Sequence, residues 1–477
     1  MDTYERRVHF SNNMSVGKNK PSDADSLAFC EFDAVGFDID HTIAQYNVPK
    51  LFDCIHESLS RFLVEQYGYD DSLRAPLDAD FIMRGIVLDV AKGNFIKLAE
   101  DGTVLRASHG TQFLDHLQIQ QEYGENRHWS LFKKMIDTVN NIGEDFRIFE
   151  NFFDMPLMMV TARLIDHVDA SCADERGEYS TIWKHLHSAV EHTYHPDNFA
   201  SEKGGFFPEV KLNQGEYLLP LPDNVKAWLK HFKERGQIVF MATSSFNDFA
   251  TMSLEHVIGS DWRDYFDLMF TFARKPGFFK LKRKFKGVES GLETAPVSEI
   301  VPGIVYSQGS SDQFMHYLRK KTGKADPRVL FFGDSLRSDV FPAKVYSGWS
   351  TVLVLEEMLA ERHSFPAEAP NDASTKRRKL DEPDAQTKRY LTSHVWGSFF
   401  TDDHVDNRGD DKTKLLMNTL WGFMVRKYAD LAVPQLVYVA DLSLQHRFKP
   451  FKHELPQEWG FFPGLPAALQ ATTLTAL

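Results

Sequence analysis

The chain has 477 residues, a formal net charge of −13 and three cysteines. Its length exceeds what one hydrophobic core usually holds, so we expect two or three domains. The negative charge argues against nucleic acid as a partner, and Cys30, Cys54 and Cys172 show no disulfide or zinc spacing. Because no apolar run reaches transmembrane length and no secretory signal opens the chain, we expect no membrane partner and a cytoplasmic location.

Residues 1–30 are predicted to be a polar N-terminal arm that leads into a buried strand starting near Phe32. This strand runs directly into Asp38, Asp40 and Thr42. Alternate residues of a strand share a face, so the two carboxylates can converge on one phosphate and one metal ion. Taken alone, Asp-x-Asp-x-Thr is also compatible with a solvated acidic turn.

A long insert, residues 47–219, separates this strand from the rest of the predicted sheet. A parallel crossover needs only about a dozen residues, so the insert predicts a separate, mainly helical cap domain over the mouth of the sheet. Within it, Gly93–Arg106 predicts a hairpin that turns at Asp101-Gly102.

Residues 31–46 and 220–360 are predicted to form the catalytic core, an α/β domain with a Rossmann-like, doubly wound parallel sheet. Helical patterns alternate with apolar runs, as that architecture requires, and Phe278–Val301 has the composition of a loop insertion. The predicted helix and the later strands are Asp223–Arg235, Gln237–Ala242, Phe266–Phe272, Val329–Phe332 and Thr351–Leu355.

The C-terminal part divides into two predicted pieces. Residues 361–392 are rich in Pro, Ala, Asp, Lys and Arg, which is typical of a disordered linker. Residues 393–477 are predicted to pack on the core, with strands at Trp396–Phe400 and Leu436–Val439.

Polar side chains follow four of the predicted strands. Asp38 and Asp40 follow the first, Thr243 and Ser244 the second, Lys275 the third, and Asp334 and Asp339 the fourth. Carboxyl ends of parallel strands meet at the ligand-binding edge of a sheet. Each residue alone could be a turn hydroxyl, a surface lysine or an acid at a helix N-terminus. Together and in this order they resemble the catalytic signature of the haloacid dehalogenase superfamily.

This signature predicts hydrolysis of a phosphate monoester in two steps. Asp38 would attack phosphorus, and Asp40 would protonate the leaving oxygen and then deprotonate the attacking water. Asp38, Asp334 and the backbone carbonyl of Asp40 would bind Mg²⁺, with Asp339 supporting the metal shell. In addition, phosphoryl oxygens would accept hydrogen bonds from Thr243 or Ser244, and Lys275 would neutralise the pair of anions.

Longer motifs give a narrower resemblance. The chain is similar to the cytosolic purine 5'-nucleotidase family within that superfamily through Gly36–Asn47, Val104–Gly110, Lys275–Phe279, Tyr306–Gly309 and Phe332–Ser335. The resemblance implies a Rossmann-like core with a cap inserted after the first strand, bound Mg²⁺, and hydrolysis of nucleoside monophosphates.

The resemblance also implies substrate-binding residues in the cap. Phe153 stands where the family's base-stacking aromatic belongs, while His187 and Glu191 stand where an arginine and an aspartate read the base edge. Core packing is an equal alternative for Phe153, and a solvated helix face is one for His187 and Glu191. A zinc site is the least favoured interpretation of the nearby histidines, because they point several ways round one helix.

Three functions remain as hypotheses. The leading one is a Mg²⁺-dependent phosphatase that acts on a nucleoside 5'-monophosphate through an aspartyl-phosphate. The second is the same chemistry on another small phosphate ester, and the third is a binding or regulatory protein with little turnover. A homo-oligomer is compatible with each of them.

Overall fold

Two large sheets organise the residues that the computed structural model describes, which are 26–137, 143–172, 177–361, 384–406, 413–452 and 459–469. The strands in this part are β1 Ala34–Phe37, β2 Gln45–Tyr46, β3 Ile86–Asp89, β4 Asn94–Leu98, β5 Val104–His109, β6 Gln112–Phe113, β7 Phe146–Phe149, β8 Leu218–Leu219, β9 Ile238–Ala242, β10 Leu268–Thr271, β11 Phe285–Glu289, β12 Leu292–Pro296, β13 Val305–Gln308, β14 Val329–Gly333, β15 Ser350–Val354, β16 Thr401–Asp406, β17 Thr413–Asn418 and β18 Leu431–Val433.

Helices connect and cover these strands. Those in the described residues are α1 Val48–Tyr67, α2 His116–Tyr123, α3 Phe132–Asp137, α4 Met155–Ala170, α5 Ser180–Tyr194, α6 Asp197–Ser201, α7 Phe206–Leu212, α8 Gln214–Tyr217, α9 Asp223–Glu234, α10 Asn247–Val257, α11 Gly277–Lys280, α12 Ser311–Thr322, α13 Phe341–Ser347, α14 Glu357–Ala360, α15 Ala385–Leu391, α16 Leu420–Tyr428 and α17 Val437–Ala440. None of the helices in these ranges has both the length and the apolar character needed to cross a bilayer.

The larger sheet has nine strands in the order β12-β11-β13-β10-β9-β1-β14-β15-β18. The seven strands from β13 to β18 are parallel, and β11 and β12 add an antiparallel hairpin at one edge. β1 lies at the centre, with Ala34 paired to both Ile238 and Val329. The fold is therefore mixed α/β with a sheet rich in parallel strands.

Side chains of β1 enter two different apolar clusters, one on each face of the sheet. Val35 and Phe37 belong to the larger cluster, and Ala34 belongs to the smaller one. Alternate residues of a strand point to opposite faces, so this division shows that both faces of the sheet are covered. Such burial explains why β1 reads as an unbroken apolar run.

Residues of the long insert form the second sheet and several helices. Its strands are antiparallel, in the order β6-β5-β4-β3-β7, and the predicted hairpin is confirmed as β4 and β5. α1 packs on α4 and α5 through an apolar face that includes Leu51, Ile55 and Leu59. The insert thus contains a five-stranded sheet beside the helices that the sequence predicted.

Ion pairs to the buried carboxylate of Asp402 join the hairpin β4–β5 to the C-terminal segment. Lys97 Nζ lies 2.7 Å from Asp402 Oδ2 and also donates to the carbonyls of Trp396 and Ser398. Arg106 donates two hydrogen bonds, of 2.8 and 2.7 Å, to the two oxygens of the same carboxylate. We call Lys97, Arg106 and Asp402 the hairpin charge cluster.

Predictions for the core agree closely with the structure, and those at the ends of the chain do not. Helix α9 and strands β9, β14 and β15 match their predicted ranges within one residue at each end. By contrast, no strand forms at Trp396–Phe400, and Leu436–Val439 lies in a helical segment while β18 pairs with β15. A four-residue apolar run does not distinguish a strand from a buried helical turn.

Two flanking segments also differ from their predictions. Of the predicted linker 361–392, residues 362–383 lie outside the described part, but Ala385–Leu391 is a helix whose N-cap is Asp384. Of the predicted arm, residues 1–25 lie outside the described part, and Phe29 is buried against Trp228 and Phe448. The segment Phe278–Val301 contains the hairpin β11–β12 rather than a loop alone.

Candidate active site

The predicted catalytic residues meet at the carboxyl edge of the nine-stranded sheet. Asp38 follows β1, Thr243 follows β9 and Asp334 follows β14, three strands that are neighbours and parallel. Around them lies a pocket of about 310 Å³. Its lining includes every catalytic, metal-binding and supporting residue predicted from the sequence: Asp38, Asp40, Thr243, Ser244, Lys275, Asp334 and Asp339.

Three buried carboxylates and one lysine form the centre of this pocket. Lys275 Nζ lies 2.7 Å from Asp38 Oδ1 and 2.6 Å from Asp339 Oδ1. Asp38, Asp334 and Asp339 each place a carboxylate oxygen within 4.8 Å of the others. We call these four residues the acid cluster.

Burial controls the protonation of the acid cluster. It raises the pKa of Asp38 to about 7, although the ammonium group of Lys275 acts in the opposite direction. Burial also raises the pKa of Asp334 and of Asp339 above the ordinary value for aspartate. For Lys275, burial acts to lower the pKa, but Asp339 and Asp38 outweigh it and raise the value. The carboxylates therefore lack enough nearby positive charge to ionise readily.

This donor set fits a divalent metal ion. All three side chains offer hard carboxylate oxygens, which Mg²⁺ prefers, and they converge at a distance that one ion can bridge. The raised pKa values indicate that the cluster gains from an added cation. Asp38, Asp334 and Asp339 are thus the side chains that could hold the metal.

Asp339 lies close to Asp38 and Asp334 at the end of β14. Its carboxylate folds back over the end of β14, where it accepts a hydrogen bond of 3.2 Å from the Ser335 N–H. A Cβ at Gly333 would lie 2.5 Å from Asp339 Cγ, so only glycine leaves room for this approach. A turn of π-helix at Leu336–Val340 carries Asp339 into this position.

The Asp40 carboxylate lies outside the group of three candidate metal-binding side chains and is oriented by two hydroxyl groups. Oδ1 accepts a hydrogen bond of 2.7 Å from the Tyr46 hydroxyl, and Oδ2 accepts one of 2.5 Å from Ser245 Oγ. The tight turn after Asp40 places His41 at a φ of 54°, where its ring stacks on Phe152 at 4.2 Å. Asp40 is therefore fixed beside the nucleophile candidate, as a proton-transfer group must be.

The two predicted phosphate-binding hydroxyls have different surroundings. Thr243 is fully buried and its Oγ1 accepts a hydrogen bond of 3.0 Å from the Ser245 N–H. Ser244 Oγ accepts a hydrogen bond of 3.0 Å from the Lys275 N–H. Both side chains keep a hydroxyl proton available to a bound anion, and each also shapes the loop that carries Ser245 or Lys275.

Aromatic rings line the other side of the pocket. Phe153 is half-buried there, with its ring 5.6 Å from the rings of His41 and Tyr46 and 6.0 Å from that of Phe206. The further lining residues on this side are Asn151, Asp154, Tyr194, Phe207, Phe246 and Phe249. Phe153 therefore lies in the pocket, as predicted, and packs against its neighbours as well.

The structure does not bring His187 and Glu191 into this pocket. Both are exposed on α5, and the helix reaches the pocket only at its last residue, Tyr194. His187 lies seven residues earlier, which is about 10 Å along a helix axis. The prediction relied on a shared helix face and could not tell which turn of the helix approaches the site.

Several supporting residues were missed at the level of sequence. Tyr46 and Ser245 orient Asp40, while Arg84 and Glu150 contact the loop that follows β14. The sequence could have indicated Arg84, because a charged residue within the apolar stretch Phe81–Leu88 predicts a buried partner of opposite charge. Glu150 follows β7 in a similar context, but nothing local identifies the residue that it binds.

Comparison with known proteins assigns the family. A sequence model of the 5' nucleotidase family matches residues 24–419, most of the chain. The chain therefore belongs to the 5'-nucleotidase family and, with it, to the phosphoric monoester hydrolases.

Individual relatives agree with this assignment. The chain is 35% identical over 455 residues to 5'-nucleotidase domain-containing protein 1 of Homo sapiens, covering 94% of this chain and 97% of the relative. It is 36% identical to the Bos taurus protein of the same name, covering 94% and 99%. It is also 24% identical to 5'-nucleotidase domain-containing protein 2 of Homo sapiens, covering 90% and 84%.

Proposed function

We propose that this protein is a Mg²⁺-dependent phosphatase that hydrolyses a nucleoside 5'-monophosphate through an aspartyl-phosphate on Asp38. The observation that carries the proposal is the acid cluster, set beside Asp40 in one pocket. We also propose a haloacid dehalogenase-like core formed by residues 31–46 and 220–360, with residues 47–219 as its cap. Cys30, Cys54 and Cys172 are free thiols, which is compatible with a cytoplasmic location.

The first step transfers the phosphoryl group to the protein. An Asp38 carboxylate oxygen attacks phosphorus, the bond to the leaving oxygen breaks, and Asp40 gives a proton to that oxygen. Asp38, Asp334, Asp339 and the backbone carbonyl of Asp40 would hold Mg²⁺, whose charge reduces repulsion between carboxylate and phosphate. Lys275 offsets part of the negative charge of Asp38 and Asp339. The hydroxyls of Thr243 and Ser244 would donate to phosphoryl oxygens.

The second step releases inorganic phosphate. Asp40 takes a proton from a water molecule, the water oxygen attacks phosphorus, and the bond to Asp38 breaks. Tyr46 and Ser245 hold the Asp40 carboxylate in one orientation in both steps, so its distance to the leaving oxygen and to the water is set by the fold. The protein ends the cycle in its starting state.

The aromatic side of the pocket supports a planar leaving group. Phe153, Tyr194, Phe206 and Phe246 supply flat apolar surface, and Asp154 is the ionic side chain among the described lining residues there. Arg147 Nη2 lies 2.9 Å from Asp154 Oδ1, so the two charges offset each other and this side presents little net charge to a leaving group. This environment favours a monophosphate joined to an uncharged base.

A substrate panel tests the proposal. Purified protein with Mg²⁺ should release phosphate from one or more nucleoside 5'-monophosphates faster than from sugar phosphates and other small phosphate esters. Preference for a non-nucleotide ester would favour the second hypothesis, the same chemistry on another substrate. Ligand binding without phosphate release from any ester would favour a binding protein and contradict the proposal.

A substitution at Phe153 tests base recognition separately from the chemical steps. Phe153→Ala should raise KM for the preferred nucleotide severalfold or more, because stacking on a base contributes about 1–3 kcal/mol. Hydrolysis of p-nitrophenyl phosphate should change little, since it depends on the acid cluster and Asp40. Phe113→Ala, at an aromatic side chain outside the pocket, is the matched control. Equal loss with both substrates would assign Phe153 to core packing.

A further inference from the structure

Arg84 has no part in the chemistry proposed above, yet its guanidinium lies against Asp334. The side chain is buried, its Nη2 donates to the Asp334 carbonyl oxygen, and the same nitrogen lies 3.4 Å from Asp334 Oδ2. Its Nη1 lies 3.4 Å from Glu357 Oε1, and its Nε donates to the Glu150 carbonyl at 2.7 Å. All three nitrogens of the planar guanidinium are therefore engaged.

Arg84 and Glu150 are brought together by the second sheet. They flank the ends of β3 and β7, which are paired with Ile86 opposite Phe149, and the Gly85 N–H donates to the Phe149 carbonyl at 2.6 Å. This end of the sheet faces the loop after β14. A segment of the insert thus presents one cation and one anion to the residues that carry the metal ligands.

The Glu150 carboxylate fixes the other side of that loop. Its two oxygens lie 2.8 and 2.9 Å from Ser335 Oγ and share the one proton of that hydroxyl, and Oε1 also accepts a hydrogen bond of 3.2 Å from the Arg337 N–H. Contacts from Arg84 and Glu150 therefore hold the loop at three residues, Asp334, Ser335 and Arg337. Asp334 can change position only if these contacts break.

We propose that Arg84 is a positioning residue that sets the affinity of the site for its divalent cation by fixing the Asp334 backbone and carboxylate; this rests on the proposed Mg²⁺-dependent function. The short contact is to the carbonyl and the longer one to Oδ2, so Oδ1 remains available to a metal. Lysine cannot take this role, because one ammonium cannot reach three acceptors held in a planar arrangement.

A purely electrostatic role for Arg84 predicts the opposite result. A cation beside a metal ligand repels the metal, so removing its charge would tighten Mg²⁺ binding. Loss of positioning instead weakens binding, because Asp334 must then be ordered when the metal arrives. The sign of the change in the Mg²⁺ dissociation constant therefore distinguishes the two roles.

The test is direct Mg²⁺ titration by calorimetry, without substrate, on the wild type, Arg84→Gln, Arg84→Lys and the control Arg106→Gln. Both Arg84 variants should bind Mg²⁺ roughly tenfold or more weakly, a difference of about 1.4 kcal/mol or more. Arg106→Gln removes a guanidinium from the hairpin charge cluster and should leave the constant unchanged. At saturating Mg²⁺, KM for the substrate should stay near its wild-type value in the Arg84 variants.

The outcomes separate this inference from the proposed function. If the wild type binds no Mg²⁺, the proposed function fails. If the wild type binds Mg²⁺ and the Arg84 variants bind it equally or more tightly, the positioning role is wrong. If Arg84→Gln does not fold, Arg84→Lys, which keeps the charge, decides the question.

Discussion

Two clusters of charged side chains in this molecule are built around buried carboxylates and differ in net charge. In the hairpin charge cluster, two cations surround one carboxylate: burial acts to raise the pKa of Asp402, but Lys97 and Arg106 outweigh it and lower the value. In the acid cluster, three carboxylates share the charge of Lys275, and burial raises the pKa of Asp38 to about 7. The hairpin charge cluster supplies its carboxylate with enough positive charge and joins parts of the fold, whereas the acid cluster has an excess of carboxylates that an added cation would offset.

The largest expected effect is on catalysis, from Asp38→Asn. The amide cannot attack phosphorus, so kcat should fall by roughly a thousandfold or more, which corresponds to about 4 kcal/mol. The metal-free protein should unfold at the same or a higher temperature, because one crowded charge is gone. Asp33→Asn, at the opposite end of β1, is the control and should keep its activity. Wild-type turnover by Asp38→Asn would rule out the covalent mechanism.

Asp402→Asn should lower the free energy of unfolding and leave catalysis unchanged. The substitution leaves the buried Lys97 without its carboxylate, and breaking a buried pair costs about 3–5 kcal/mol. Chemical denaturation should show this loss, while kcat and KM measured well below the unfolding temperature should stay near wild type. The exposed Asp326→Asn serves as the control. Equal stability of Asp402→Asn and wild type would contradict the structural role.

Added metal should stabilise only through the acid cluster. At a free Mg²⁺ concentration 100 times the dissociation constant, the free energy of unfolding should rise by about 2.7 kcal/mol. EDTA should reverse the gain and stop activity. Asp334→Asn should lose most of the gain, and Asp402→Asn should retain it. A gain that survives Asp334→Asn would place the metal elsewhere.

The smallest effect concerns Glu361, which lies at the edge of the hairpin charge cluster. Burial raises its pKa from 4.5 to about 7, although Ser398, Phe399 and Lys97 oppose this. A carboxyl with a raised native pKa binds its proton more tightly in the folded state, so its contribution is full below pH 4.5 and lost as the pH rises through 7. Unfolding free energy should therefore fall by about 2 kcal/mol more between pH 5 and 8 in the wild type than in Glu361→Gln. If the free energy of unfolding changed equally with pH in both proteins, titration of Glu361 would be excluded as the cause.

The sequence predicted which residues of the acid cluster meet at this edge of the sheet because its signals are local. Each residue of the acid cluster follows an apolar strand, and parallel strands align their carboxyl ends whatever the length of the connections. It did not predict Arg84 or Glu150, because their contact with the loop after β14 depends on how a second sheet lies against the first. Packing between distant elements leaves no periodic pattern in either segment.

The same reasoning explains where the structure differs from the predictions. His187 and Glu191 share a helix face with Tyr194, but only the end of α5 reaches the pocket. Likewise, Leu436–Val439 has the composition of a strand and lies in a helical segment, while the neighbouring Leu431–Val433 completes the sheet beside β15. In both cases the residue types were informative, and the position along the element was decided by tertiary contacts.

The central place of β1 in the sheet has a consequence for folding during synthesis. Its two neighbours, β9 and β14, begin about 200 and 300 residues later. At roughly 5–20 residues per second, a nascent chain carries β1 without β9 for about 10–40 s. The five-stranded sheet of the insert has all its strands once Phe149 has emerged, so it can form first. High contact order thus makes β1, the strand that presents the nucleophile, one of the last elements of the protein to find both its partners.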